Sequence, residues 1–266
     1  MKHRESVEKK ISDSLLPNAV ILTAIEVEYN AIKEHLVPDS IKETVHPKGN
    51  VYEKGIFKGE YHNWEIGIAQ VGAGNNTCAY QTERAISFFN PQVILFVGIA
   101  GGIKDLKLGD VLAAEKAYGY ERGKVAPSGF LPRPEVGYSS FPIFERAKAE
   151  SRKNDWKKRL PEGKEKSKIK AKTGAIAAGE KVVTEIRSDV YDLIYRNYND
   201  TLAVEMEGSG FYTACHANGG LEFLIVRGIS DLLNDKSKTD FEGFQEFAAR
   251  NASAFAFEVL SKFKIK

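Results

Sequence analysis

Cysteine, methionine and tryptophan each occur only twice in the 266 residues. Cys78 and Cys215 cannot build a disulfide framework, so the chain is expected to rely on an apolar core in a reducing setting. No run approaches the roughly 20 apolar residues that a membrane-crossing helix requires. The opening stretch MKHRESVEKKISDSLLP mixes acids with bases and has no apolar centre, which speaks against a secretory signal. Histidine is scarce as well. His3, His35, His46, His62 and His216 form neither an HxxxH pattern nor a cluster with cysteine. The expectation is a cytoplasmic protein that works without a metal or other cofactor and does not engage a membrane.

Charge of one sign is also missing, since the formal total is only +2. It is unevenly spread: residues 151–172 carry ten Lys/Arg against three Asp/Glu, a balance of +7 that leaves −5 for the rest. No general basic field is left for nucleic acid, and Trp156 is the run's single aromatic. Such a run reads first as a solvated loop.

What is present is a core, with 42% apolar residues arranged in a repeating order. Ala19–Ile25, Ile66–Val71 and Val93–Ala100 are β-branched, nearly uncharged runs that read as buried strands. Val111–Ala114, Gly174–Ala178, Leu202–Met206 and Phe223–Ile229 continue the series. Helical stretches lie between or after them at Glu26–Leu36, Asn75–Phe89, Gly208–Asn218 and Phe241–Leu260. Alternation of this kind predicts an α/β fold, a single-domain three-layer αβα sandwich around a mostly parallel twisted sheet. Residues 1–18 are assigned to an N-terminal extension and 19–266 to the domain. Its rhythm is interrupted by an insertion at 118–172 that holds prolines (Pro127, Pro132, Pro134 and Pro142 among them) and one helix, expected from Ile143 to about Arg159.

In open α/β sheets ligands sit beyond the carboxyl ends of the strands, and acids stand at three of those ends. Glu26 and Glu28 follow the first strand, Glu205 and Glu207 flank Met206, and Ser230 and Asp231 follow the last strand. Each has an ordinary explanation, because acids favour the positive end of a helix and Ser or Asp caps one. As a set they suit cleavage of an N-ribosidic bond. That reaction must protonate a departing purine, stabilise a sugar cation and deliver water, with general acid and base steps each worth about 10²–10⁴ in rate.

The phrases AIEVE (24–28), VGAG (71–74), VGIAGG (97–102), VEMEG (204–208) and RGISD (227–231) resemble, in order, those of the nucleoside phosphorylase/nucleosidase superfamily. They are most similar to its branch of methylthioadenosine/S-adenosylhomocysteine nucleosidases. The resemblance implies that Glu28 activates water, Glu207 accepts the sugar hydroxyls above Met206, and Asp231 with Ser230 protonates the purine at N7. It implies that Ile25 lines the sugar's 5′ side, and that Ala100, Gly101 and Val183 approach the base. It also implies that Phe241 closes the 5′ side across a subunit boundary, hence a homodimer or larger homo-oligomer. Val182 departs from the pattern, standing where the nucleosidases place a stacking aromatic; Phe130 or a tyrosine of the insertion is the expected substitute.

The segments GYERGK (119–124) and GFLPRP (129–134) resemble nucleosidase domains of signalling and defence proteins, some of which act on adenine nucleotides such as ATP. On that likeness Arg133, Lys124, Lys181, Lys236 and Lys238 are candidates to meet a 5′-phosphate. The expected activity is hydrolysis of an adenine nucleoside or nucleotide, with a slight lean to the nucleotide. A thioether nucleosidase of metabolic type is the first alternative. A phosphate-dependent phosphorylase is the second, supported by an anion-binding reading of Gly72–Gly74 ahead of a helix. A non-catalytic purine sensor would have no need of an acid and a base on opposite sides of a sugar.

Overall fold

A computed structural model of the protein describes residues 16–127, 129–183, 188–233 and 242–265, with side chains at 164, 165 and 242 outside the description. The first half of the chain runs β1 (Asn18–Thr23), α1 (Glu26–Lys33), β2 (Lys42–Val45), β3 (Val51–Lys58), β4 (Asn63–Gln70), α2 (Asn75–Phe89) and β5 (Val93–Gly102). The middle of the chain continues with β6 (Val111–Gly119), then β7 (Gly123–Ala126), β8 (Gly129–Pro132), β9 (Glu135–Tyr138) and α3 (Phe141–Ser151). The second half continues with β10 (Ala171–Ala178), α4 (Asp189–Asn197), β11 (Thr201–Glu205), α5 (Gly208–Asn218), β12 (Glu222–Leu232) and α6 (Glu242–Ser261).

Ten strands form one sheet in the order β11-β10-β6-β12-β5-β1-β4-β3-β2, with β9 paired to β6. Alternation along β1 shows why the sheet must be covered twice. Ala19 and Ile21 point into one apolar core, and Val20 and Leu22 into the other. On one face α1 and α3 pack against α6, and on the other α2 packs against α5. The layers are those expected of an αβα sandwich.

One pairing goes beyond an open sheet. β11 also hydrogen-bonds β5 in antiparallel register, with Ala203 opposite Gly102 and Val204 opposite Gly101. Strands β11, β10, β6, β12 and β5 therefore close on themselves, while β1, β4, β3 and β2 spread as a wing. A second irregularity sits in β12, whose register against β5 shifts between Ile229 and Asp231. A bulge of this kind gives one strand an extra residue and re-aims the side chains beyond it.

The insertion is more structured than a loop. β7 and β8 form a separate two-stranded sheet and β9 returns to the main one. The helix expected from Ile143 to Arg159 stops instead at Ser151 and gives way to a 3₁₀ turn at Asp155–Arg159. Ser151 bonds back to the Lys148 carbonyl, and Asn154 and Asp155 follow, residue types that compete with helical bonding. The break lets Trp156 turn inward, where it is buried edge-on against Phe255.

Much of the basic run is paired within the molecule. Lys153 meets Glu150, Lys158 meets Asp155, Arg159 meets Glu258, and Lys172 donates to the Asp105 carbonyl. Among the described residues no helix is long and apolar enough to cross a membrane.

Candidate active site

Beyond the ends of β1, β5, β11 and β12 lies a cavity of about 390 Å³. Glu28, Glu207 and Asp231 all line it, as do Ile25, Ala100, Gly101, Lys181, Val182, Val183, Met206 and Ser230. Three acids separated by about 200 positions of chain thus share one wall system because their strands end side by side.

Burial distinguishes the two acids of α1. Glu26 points to solvent, while Glu28 is only 3% exposed. Glu28 sits in the first turn of α1 and folds back over the helix start. Its Oε2 accepts the amides of Ala24 at 2.7 Å and Ile25 at 3.2 Å, and Oε1 accepts that of Ile99 at 2.8 Å. Burial raises its pKa above the usual carboxylate range, against the opposing pull of Arg227 and those three amides.

Glu207 stands immediately before α5. Its Oε1 accepts the Gly74 amide at 3.1 Å, and its Oε2 lies 3.4 Å from Arg227 Nη2. Burial, and then the negative charge of Glu205, push its pKa up to about 7; Arg227 opposes them. Asn75 ties the neighbouring pieces together. Its side chain accepts the Gly210 amide at 3.0 Å and donates to the Gly179 carbonyl at 2.9 Å, while its own amide reaches Glu180 at 3.1 Å. The amides of Gly74 and Asn75 are therefore engaged by the protein's own carboxylates, at the place where Gly72–Gly74 reads as an anion cradle.

Asp231 follows the bulge in β12, which turns it toward Gly101 on β5. Ser230 donates to Asp231 Oδ2 at 2.9 Å, and a β-carbon on Gly101 would stand only 3.0 Å from Asp231 Oδ1. A side chain at 101 would thus press on the acid and have to displace it by a few tenths of an ångström.

Arg227 was absent from the sequence-based site. It is fully buried in β12 over the ring of Phe96, 4.1 Å from its centroid. Nη2 lies 2.5 Å from Glu205 Oε2, whereas Nη1 and Nε have no hydrogen-bond partner among the described residues. A β-carbon on Gly98 would collide with both Arg227 Nη1 and Glu28 Oε1, so these two groups converge over that glycine. The sequence did hold a signal: an arginine inside the apolar run FLIVRGI cannot be buried without carboxylate partners.

The phosphate-directed candidates are dispersed. Arg133 and Lys124 belong to the β7–β8 hairpin region, are exposed and do not line the cavity. Lys181 does line it, but its Nζ is paired with Glu121 at 2.6 Å. Lys236, Lys238 and Phe241 lie outside the described residues. The expected substitute for a stacking aromatic is not at the cavity either, because Phe130 folds over Gly123 within the hairpin. Val182 is 66% exposed at the cavity wall, and no aromatic lines the cavity among the described residues.

The sequence profile of the phosphorylase superfamily matches residues 18–263. A 5′-methylthioadenosine/S-adenosylhomocysteine nucleosidase of Staphylococcus aureus is 28% identical over 244 residues, covering 88% of this chain and 94% of its own. The crystal structure of a nucleosidase of the same name from Colwellia psychrerythraea, in complex with adenine, superimposes with a TM-score of 0.75 at 25% identity, over 94% of this chain and 97% of that one. Futalosine hydrolase of Helicobacter pylori superimposes with a TM-score of 0.72 at 26% identity, over 92% and 97%.

Proposed function

The chain belongs to the phosphorylase superfamily, and from that premise we propose that it is a purine nucleosidase that hydrolyses 5′-thioether adenosines to free adenine. The observation that carries this reading is the convergence of Glu28, Glu207 and Asp231 on one cavity, with Ile25 and Met206 among its apolar lining.

In the proposed reaction the C1′–N9 bond breaks with its electron pair passing to the purine, and Asp231 supplies the proton taken up at N7. Glu207 accepts the ribose hydroxyls, and its negative charge stabilises the sugar cation. Glu28 takes the proton of a water molecule as its oxygen bonds C1′. A carboxylate whose pKa is raised by burial is a better base than an exposed one, which suits that task. Adenine and the free sugar are the products.

Water is favoured over phosphate as the nucleophile, because Glu28 and Glu207 would repel an anion and the amides of Gly74 and Asn75 are already engaged. A thioether is favoured over a nucleotide for the 5′ group. Arg133 and Lys124 stand away from the cavity, and past Ile25 and Gln245 the walls carry Glu26, Glu34 and Glu246 against Arg250. Arg250 is itself held by Glu34 and Glu246, both at 2.9 Å.

The experiment is to incubate the protein with methylthioadenosine, S-adenosylhomocysteine, adenosine, AMP and ATP, with and without inorganic phosphate, and to measure adenine. Fastest release from the thioethers, independent of phosphate, is expected. Release from none of them, or strict phosphate dependence, overturns the reading. The resemblance that assigned Phe241 also brings an assembly of two or more copies into this proposal, which light scattering reads directly.

A further inference from the structure

Glu205 is the fourth carboxylate at the cavity, and no step of the proposed reaction uses it. Its side chain is 2% exposed and that of Arg227 fully buried, so their contact is shielded from water. Glu205 Oε1 accepts the Gly208 amide at 2.9 Å. Its Oε2 accepts the Gly208 amide at 3.0 Å, the Glu207 amide at 3.2 Å and Arg227 Nη2 at 2.5 Å. The same carboxylate therefore closes the start of α5 and holds the guanidinium.

Three acids, Glu28, Glu205 and Glu207, share this one cation. Arg227 Nη2 is 2.5 Å from Glu205 but 3.4 Å from Glu207. A guanidinium is planar and rigid, so fixing Nη2 also fixes Nη1 and Nε. Those two nitrogens have no hydrogen-bond partner among the described residues, and Nη1 faces Glu28 over Gly98. We propose that Glu205 is a positioning residue: by occupying Nη2 it keeps Arg227 from closing on Glu207 and holds the Nη1 edge toward Glu28. Glu207 then keeps an oxygen for the sugar, and the cation stays beside the water-activating acid. This inference rests on the hydrolytic reading of the site. The charge effects point the same way, since Glu205 raises the pKa of Glu207 and Arg227 lowers it.

The test is Glu205→Gln, which keeps the size and one acceptor oxygen for the α5 amides but removes the charge. Arg227 then turns to Glu207. On methylthioadenosine kcat is expected to fall at least tenfold, with the melting temperature little changed. A second readout needs no turnover: in ¹³C-glutamate-labelled protein, with each carboxyl carbon assigned by its loss in Glu207→Gln or Glu28→Gln, Glu207 should titrate lower in Glu205→Gln while Glu28, from which the cation withdraws, should titrate higher. In Glu205→Gln/Arg227→Gln, where no cation is left to capture, the downward displacement at Glu207 should vanish. A Glu207 titration that does not fall, or a Glu28 titration that does not rise, overturns the proposal and leaves Glu205 as a helix cap. If Glu205→Gln does not fold, Arg227→Gln must raise the Glu207 titration, and no rise overturns the proposal as well. If the unaltered protein releases no adenine, the hydrolytic reading fails, while the carboxyl titration still decides the role of Glu205.

Discussion

Glu207 reaches from the start of α5 to the start of α2, where its Oε1 accepts the amide of Gly74 at 3.1 Å. The bond joins two helix N-termini through one carboxylate that burial disfavours in its charged form. The fold therefore loses stability as Glu207 ionises, between its ordinary pKa of 4.5 and about 7. The raised acid favours the folded state below that window and opposes it above. Glu207→Gln should abolish adenine release yet melt higher than the unaltered protein at pH 8, by on the order of 2–3 kcal/mol. The advantage should disappear at pH 4. Calorimetry across that range checks it, and an equal difference at both ends would contradict the assignment.

Gly98 has no room for a methyl group, because Arg227 and Glu28 both press on it. Gly98→Ala should destabilise the fold by roughly 1–3 kcal/mol, the usual cost of overpacking. It should lower kcat by far more than it raises KM. Urea denaturation and steady-state kinetics measure the two effects separately.

Asp231 is assigned to protonate the leaving base. Asp231→Asn should cost about 10²–10⁴ in kcat on methylthioadenosine. A riboside with a leaving group that departs unprotonated, such as 4-nitrophenolate, should be spared most of that loss. Equal losses on both substrates would remove Asp231 from the acid role. Ser230→Ala, which deletes only the 2.9 Å bond to Asp231, should cost much less.

In the proposed pose Val182 stands on the base side of the cavity, where no described residue supplies a ring. Val182→Phe should lower KM for adenine nucleosides two- to tenfold, corresponding to the roughly 0.5–1.5 kcal/mol that aromatic stacking adds. A KM that rises in the variant would show that the base does not lie against this wall.

If the 5′ group is a thioether, the insertion's charges do not read it. Arg133→Ala and Lys124→Ala should leave kcat/KM on methylthioadenosine within about twofold, as is usual for exposed residues without special contacts. A large selective loss on AMP or ATP, with those substrates active in the unaltered protein, would restore the nucleotide reading.

Local chemistry made much of this molecule readable from its residues. The spans Asn75–Phe89 and Gly208–Asn218 are helices as expected: the first follows a glycine turn and has one buried stripe, and the second follows a strand end and is largely buried. The seven apolar runs are all strands. By contrast β2 and β3 (KETV and VYEKGIFK) went unread, since half their residues face water and the alternation is diluted by lysine and glutamate. Helix α4 was missed for its brevity, and the β7–β8 hairpin because its apolar residues stay exposed.

At the site, Glu28 was told from Glu26 only by the family resemblance, because local residue chemistry does not show which of the two the helix rotation buries. Arg227 needed the pairing of β11 with β5 to explain its partners. No local pattern encodes a contact between positions 205 and 227 across two strands.

The closure of β11 onto β5 has a mechanical consequence. Gly101 and Gly102 are laddered to β12 on one side and to β11 on the other. Asp231, the Glu205–Glu207 turn and the glycine floor are thereby stitched into a single rigid frame. None of them can shift without breaking a ladder on which the others depend. Breathing at the cavity mouth is therefore expected at the rim, where Val182 and Gln245 stand exposed, while Asp231 and Glu207 keep their mutual spacing.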